Sequence, residues 1–111
     1  MATNNDLSKK ILTENYEVQL ESLIQEFYED RIEDLNLVKN ALNEGNFRLI
    51  SETAHKWKGY AKPYGFAHLG ELGATIEEKA KAGETESLGM YLEEASEYMA
   101  LKKNQFELED K

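Results

Sequence analysis

The sequence predicts an all-α protein: an antiparallel up-down four-helix bundle with an additional short helix at the N-terminal end. Three observations lead there. Good helix formers such as Glu, Leu, Ala and Lys dominate, and no run of alternating β-branched residues occurs. Apolar residues recur at steps of three and four along most of the chain, the spacing that aligns one face of a helix. Gly45 and Gly83 fall between those apolar stripes and Pro63 falls near the end of one, where helices are expected to stop or kink.

The elements follow in order. Met1 to Asn5 are polar and expected to be loose. Asp6 or Ser8 can cap a short first helix that carries Leu7, Ile11 and Leu12. Leu20, Ile24, Phe27, Arg31, Leu35, Val38 and Leu42 form the stripe of a long second helix, interrupted only by Arg31. Gly45 can end it, and Asn46 can cap a third helix whose stripe is Phe47, Ile50, Ala54, Trp57, Ala61 and Tyr64. Pro63 has no N–H and disfavours helical geometry at Lys62, so the third helix kinks or ends there. Phe66, Leu69, Gly73, Ile76 and Ala80 mark a fourth helix that Gly83 stops. Leu88, Leu92, Ala95, Met99, Lys102 and Phe106 mark a fifth, with Tyr91 and Tyr98 at its edge. Tyr16 and Tyr28 also read as core or core-edge packing. Short connections make neighbours antiparallel, and the first helix acts as a lid on one domain spanning residues 1–111.

Composition narrows the function. A chain of 111 residues can bury one core and leaves no room for a second enzyme domain. Its formal net charge of -9 argues against a general binder of nucleic acid or of anionic membranes, both of which need a basic face. The absence of cysteine excludes disulfides, thiolate metal sites and cysteine nucleophiles. Neither a signal-peptide pattern nor a membrane-length apolar run is present, so a cytoplasmic, monomeric protein is expected.

The third helix carries the clearest candidate site. At about 100° per residue its apolar stripe shares one side, and His55 falls roughly 130° from the stripe centre. Lys58, Gly59 and Lys62 follow three, four and seven residues on, beside it on the exposed side. A glycine inside a helix costs about 1 kcal/mol against alanine. Burial does not explain it on an outer face; close approach of another molecule does. Arg48, Lys56, Lys58 and Lys62 share this helix with only Glu52, a basic island within an acidic protein that suits a phosphoryl group and an acidic partner.

The run from Ala54 through His55, Lys56, Trp57, Lys58 and Gly59 to Gly65 and Phe66 resembles the signature of the histidine-containing phosphotransfer domain family. There a histidine is followed by an apolar residue two on, lysine three on, glycine four on and a second glycine ten on, here Trp57, Lys58, Gly59 and Gly65. Trp57 replaces a usual aliphatic residue, and Pro63 is no part of the pattern. Tyr64-Gly65-Phe66 is similar to the version in phosphotransfer domains of chemotaxis kinases, although no ATP-binding kinase domain is present. The resemblance implies that His55 is the phosphoacceptor and that Lys58 stabilises the phosphoryl group, with Lys62 assisting. It implies that Glu77 bonds the histidine ring, and that Lys56, Gly59 and Gly65 belong to the surface where a partner docks. The implied partners are receiver domains and an upstream histidine kinase. No cofactor is implied for this chain, the Mg²⁺ ion belonging to the receiver. The competing reading is an interaction module that docks a receiver or kinase without moving phosphate; retention of His55 with Lys58 favours transfer.

His68 is followed by Glu71 and Leu72 where His55 has Lys58 and Gly59, so it is expected to be a surface residue. Glu52 and His55 have the Glu-x-x-His spacing of di-iron bundles, but such sites need two inward-facing pairs and further glutamates, so no metal is expected.

Overall fold

The computed structural model describes residues 4–108 and holds five α-helices: α1 (Asn4–Thr13), α2 (Ile24–Asn43), α3 (Phe47–Tyr60), α4 (Ala67–Lys81) and α5 (Thr85–Phe106). Short 3-10 turns at Val18–Leu23 and Lys62–Tyr64 lead into α2 and out of α3, and the described residues contain no strand. α2, α3, α4 and α5 pack each on the next, α5 returns to α2, and α1 lies against α5. This is the expected up-down bundle with its extra N-terminal helix. No helix among the described residues is long and apolar enough to cross a membrane.

The helix ends follow local chemistry. Gly45 takes a left-handed φ of +70°, and the Asn46 side chain accepts the Leu49 N–H at 3.2 Å to start α3. Pro63 sits in the first turn of the 3-10 segment, and Gly65, at φ +89°, turns the chain back into α4. Several expectations need correction at the N-terminal end. Asn4 and Asn5 are helical rather than loose, while Met1 to Thr3 lie outside the described residues; Asp6 and Ser8 sit inside α1 rather than before it. Leu7 and Ile11 are buried, but Leu12 is exposed, because one short helix can turn only one face to the bundle.

The core runs through all five helices, with Trp57, Phe66, Tyr98, Met99, Ile50 and Ile76 among its fully buried members. Tyr98 is central, not at an edge. Arg31, the break in the second stripe, lies over the rings of Phe27 and Tyr60 at 4.7 and 4.9 Å and bonds Asp34 at 2.8 Å, so the charge is spent at the core boundary. The same Asp34 oxygen accepts the Trp57 indole N–H at 3.0 Å. This bond from α2 fixes the rotation of α3 and thereby turns His55 outward.

A buried polar knot holds the α3–α4 turn. Lys102 is fully buried, and its ammonium donates to Glu14 Oε1 at 2.9 Å and to the Gly65 carbonyl at 2.6 Å. Burial lowers the Lys102 pKa, and the Glu14 carboxylate opposes that shift. Glu14 also accepts the Tyr98 hydroxyl at 2.8 Å and the His68 backbone N–H at 2.7 Å, so a carboxylate from the α1–α2 linker caps α4. His68 is therefore not a surface residue: it is 7% exposed, with Nε2 at 2.8 Å from Glu94 on α5 and Nδ1 at 3.3 Å from Glu71. Its local neighbours could not disclose Glu94, which arrives from another helix.

Two glycines on facing helices have opposite surroundings. A Cβ added to Gly73 would stand 2.6 Å from the Ala54 carbonyl oxygen and 2.8 Å from the Lys58 nitrogen, whereas one added to Gly59 would meet nothing within 4 Å. Backbone atoms of a packed helix cannot move aside cheaply, so Gly73→Ala should destabilise the domain by roughly 1–3 kcal/mol. Gly59→Ala should stabilise it by up to about 1 kcal/mol. Chemical denaturation of the two variants checks this, and equal shifts of one sign would contradict the helix placement.

Candidate functional site

His55 stands on the outer face of α3, its side chain 64% exposed, while Ala54 and Trp57 on either side of it are fully buried. Its Nδ1 lies 2.8 Å from Oε2 of Glu77 on α4. Gly73 is one turn before Glu77, and the close backbone approach it permits sets the carboxylate within reach of the ring. Lys58, one turn beyond His55, donates to Glu77 Oε1 at 3.3 Å, and Lys81 approaches Oε2 at 3.3 Å. The site is thus one buried carboxylate holding an imidazole and two ammonium groups at the surface.

The electrostatics fix the tautomer. Burial pushes the Glu77 carboxyl up, but the hydrogen bonds from Lys58, His55 and Lys81 together outweigh it and hold the pKa below the ordinary value. An ionised carboxylate is only an acceptor, so in neutral His55 the proton sits on Nδ1. The Nε2 lone pair is then free on the exposed ring, an arrangement suited to nucleophilic attack on an external electrophile.

The other expected site residues are distributed unevenly. Gly59 is exposed above this turn and Lys56 is exposed beside His55, so both lie on the outer face of α3 with it. Lys62 is exposed but lines a separate cleft with Lys10, Thr13, His68 and Glu71, away from Glu77. Gly65 is buried, and a Cβ there would meet Tyr16 at 3.1 Å and Phe106 at 3.5 Å. Its expected place in the docking surface is corrected accordingly: the left-handed turn and the packing beneath Tyr16 require this glycine. Glu52 pairs with Arg48 at 3.6 Å instead of joining His55 in a metal-type pair, and no group of three or more His, Cys, Asp or Glu suited to a metal ion occurs among the described residues. The sequence reading missed Lys81, although its place four residues after Glu77 on one helix is the signal that could have found it.

The depressed Glu77 pKa has a consequence for stability. A carboxylate held below its unfolded value contributes stability that is complete above the ordinary carboxylate range and is lost as pH falls through the lower folded value. Glu77→Gln should therefore be less stable than the parent at neutral pH, with the difference shrinking as the solution is made acid. Urea denaturation across the acid range checks this; a difference that does not change with pH would show Glu77 to be unpaired.

A family model described as Hpt domain matches residues 22–102. None of the curated proteins compared matches the chain, and none of the solved structures does. The matched span takes in α2, α3, α4 and most of α5, with His55, Lys58, Glu77 and Lys81 inside it. An exposed histidine whose inner nitrogen is anchored on a neighbouring helix, set within a helical bundle that this model covers for most of its length, fits one conclusion: the chain belongs to the Hpt domain family, whose role is histidine phosphotransfer in phosphorelays.

Proposed function

We propose that His55 takes a phosphoryl group on Nε2 from the aspartyl phosphate of a receiver domain, in a system fed by an upstream histidine kinase, and hands it to the aspartate of another receiver. The observation that carries this reading is the exposed ring with Nδ1 bonded to Glu77 and Nε2 unencumbered. In the transfer the Nε2 lone pair forms the N–P bond as the O–P bond of the acyl phosphate breaks, and the aspartate leaves as a carboxylate with the bonding pair. The Nδ1 proton stays on the ring, where Glu77 balances the positive charge that develops. No proton has to enter or leave, and the hand-on step runs the same exchange in reverse.

The remaining residues have supporting roles. Lys58 is half-exposed and one turn from His55, so its ammonium can turn from Glu77 Oε1 to a phosphoryl oxygen. Gly59 leaves the outer face bare where the receiver must come close, and Lys56 beside His55 suits an acidic partner surface. This chain needs no cofactor of its own, since the receiver's Mg²⁺ ion supplies charge neutralisation from the other side.

His55→Gln should fold, with stability within about 1 kcal/mol of the parent, and should take up no acid-labile, alkali-stable label from a phosphorylated receiver. Full labelling of this variant would sink the assignment. Gly59→Glu should fold too, since a side chain there enters open space. It places bulk and negative charge beside the acceptor, so transfer from a receiver should be severely slowed while labelling by phosphoramidate, which needs no docking surface, is less affected. Transfer at the parent rate would place the docking surface elsewhere.

A further inference from the structure

Glu77 holds three donors on two oxygens, and the division is unequal. Lys58 has Oε1 to itself at 3.3 Å, while the His55 Nδ1–H at 2.8 Å and the Lys81 ammonium at 3.3 Å share Oε2. A carboxylate that accepts the Nδ1–H draws the proton toward itself and pushes electron density into the ring, which raises the donor strength of Nε2 at the far side. A cation on the same carboxylate oxygen makes it a weaker acceptor and reduces that push. We propose that Lys81 is a positioning residue that restrains His55, competing with the Nδ1–H for Glu77 Oε2 and so keeping Nε2 a weaker nucleophile until the lysine is drawn off. The inference rests on His55 being the phosphoacceptor.

The placement of Lys81 suits a restraint that can be lifted. It lies in the last turn of α4, four residues after Glu77, the order in which a Glu–Lys pair forms readily on one helix without help from the rest of the fold. Its side chain is 67% exposed where that of Glu77 is 10%, so it can swing away and leave the carboxylate in place. Lys58 can also swing, but it occupies the other oxygen and so does not compete with the His55 Nδ1–H. An acidic partner surface brought against this face attracts the exposed ammonium, so the approach that delivers a phosphoryl donor also returns Oε2 to His55.

The test compares Lys81→Met with the parent, each also in a Glu77→Gln background, using the full chain. Two quantities are read: the position of the His55 Nδ1–H proton resonance in ¹⁵N-labelled protein, and the rate of acid-labile labelling by phosphoramidate. Lys81→Met should move the resonance downfield and speed labelling several-fold; both effects should vanish in the Glu77→Gln background, and Lys81→Arg should behave as the parent. An unmoved resonance with an unchanged rate overturns the proposal. Slower labelling also overturns it, by showing that Lys81 touches the phosphoryl group itself, and so does acceleration that persists without the Glu77 carboxylate. Absence of any label on His55 in the parent protein would defeat the phosphotransfer reading instead, while the resonance still decides whether Lys81 competes for Oε2.

Discussion

Gly73 lets the backbone of α4 press against the backbone of α3 directly beneath His55, and the geometry of the site depends on that contact. Where a Cβ would stand, the Ala54 carbonyl and the Lys58 amide are already present. A wider helix pair would leave Glu77 short of the imidazole, Nδ1 without an acceptor and the ring free to choose either tautomer. With the helices this close, a residue one turn along α4 becomes the second element of a site on α3. The same crossing fills the core: Trp57 and Ile76 are both fully buried in it.

Two further constraints keep that crossing in register. The bond from the Trp57 indole to Asp34 ties α3 to α2 and sets its rotation, so the apolar stripe faces inward and His55 faces out. At the other end of the site, Lys102 pins the Gly65 carbonyl and Glu14 caps the first turn of α4, so the returning helix starts from a fixed place. A buried ammonium is unfavourable alone. Here it is matched by a carboxylate, a carbonyl and the faces of Phe66 and Phe106 at 5.0 and 4.6 Å. Removing one member of this knot would leave the others unpaired in the core, which makes the turn between the two functional helices an expensive place to change.

How much of this was legible in the sequence depended on whether the cause was local. The stripes, the Asn46 cap, the Gly45 and Gly83 stops and the break at Pro63 depend on residues within a few positions of each other, and the fold class followed from them. The outward placement of His55, Lys58 and Gly59 came from the same periodicity. Glu77 entered only through the resemblance to a family, since nothing local ties residue 77 to residue 55. His68 and Gly65 were misplaced for a related reason: Glu94, Tyr16 and Phe106 reach them across the bundle. Gly73 was legible as a member of an apolar stripe but not as a point of backbone contact, because a pattern of small and apolar residues gives the face of a helix and not its distance from the next one.

The chemistry turns on which nitrogen of which histidine reacts. Phosphorylation of the ¹⁵N-labelled protein with phosphoramidate, followed by nitrogen and phosphorus NMR, reads this directly. The geometry predicts a single phosphohistidine at His55 with phosphorus on Nε2 and the proton retained on Nδ1. Phosphorus on Nδ1 of His55, or on His68, would contradict it, since the first requires the bond to Glu77 to be broken and the second requires a buried ring to be the nucleophile.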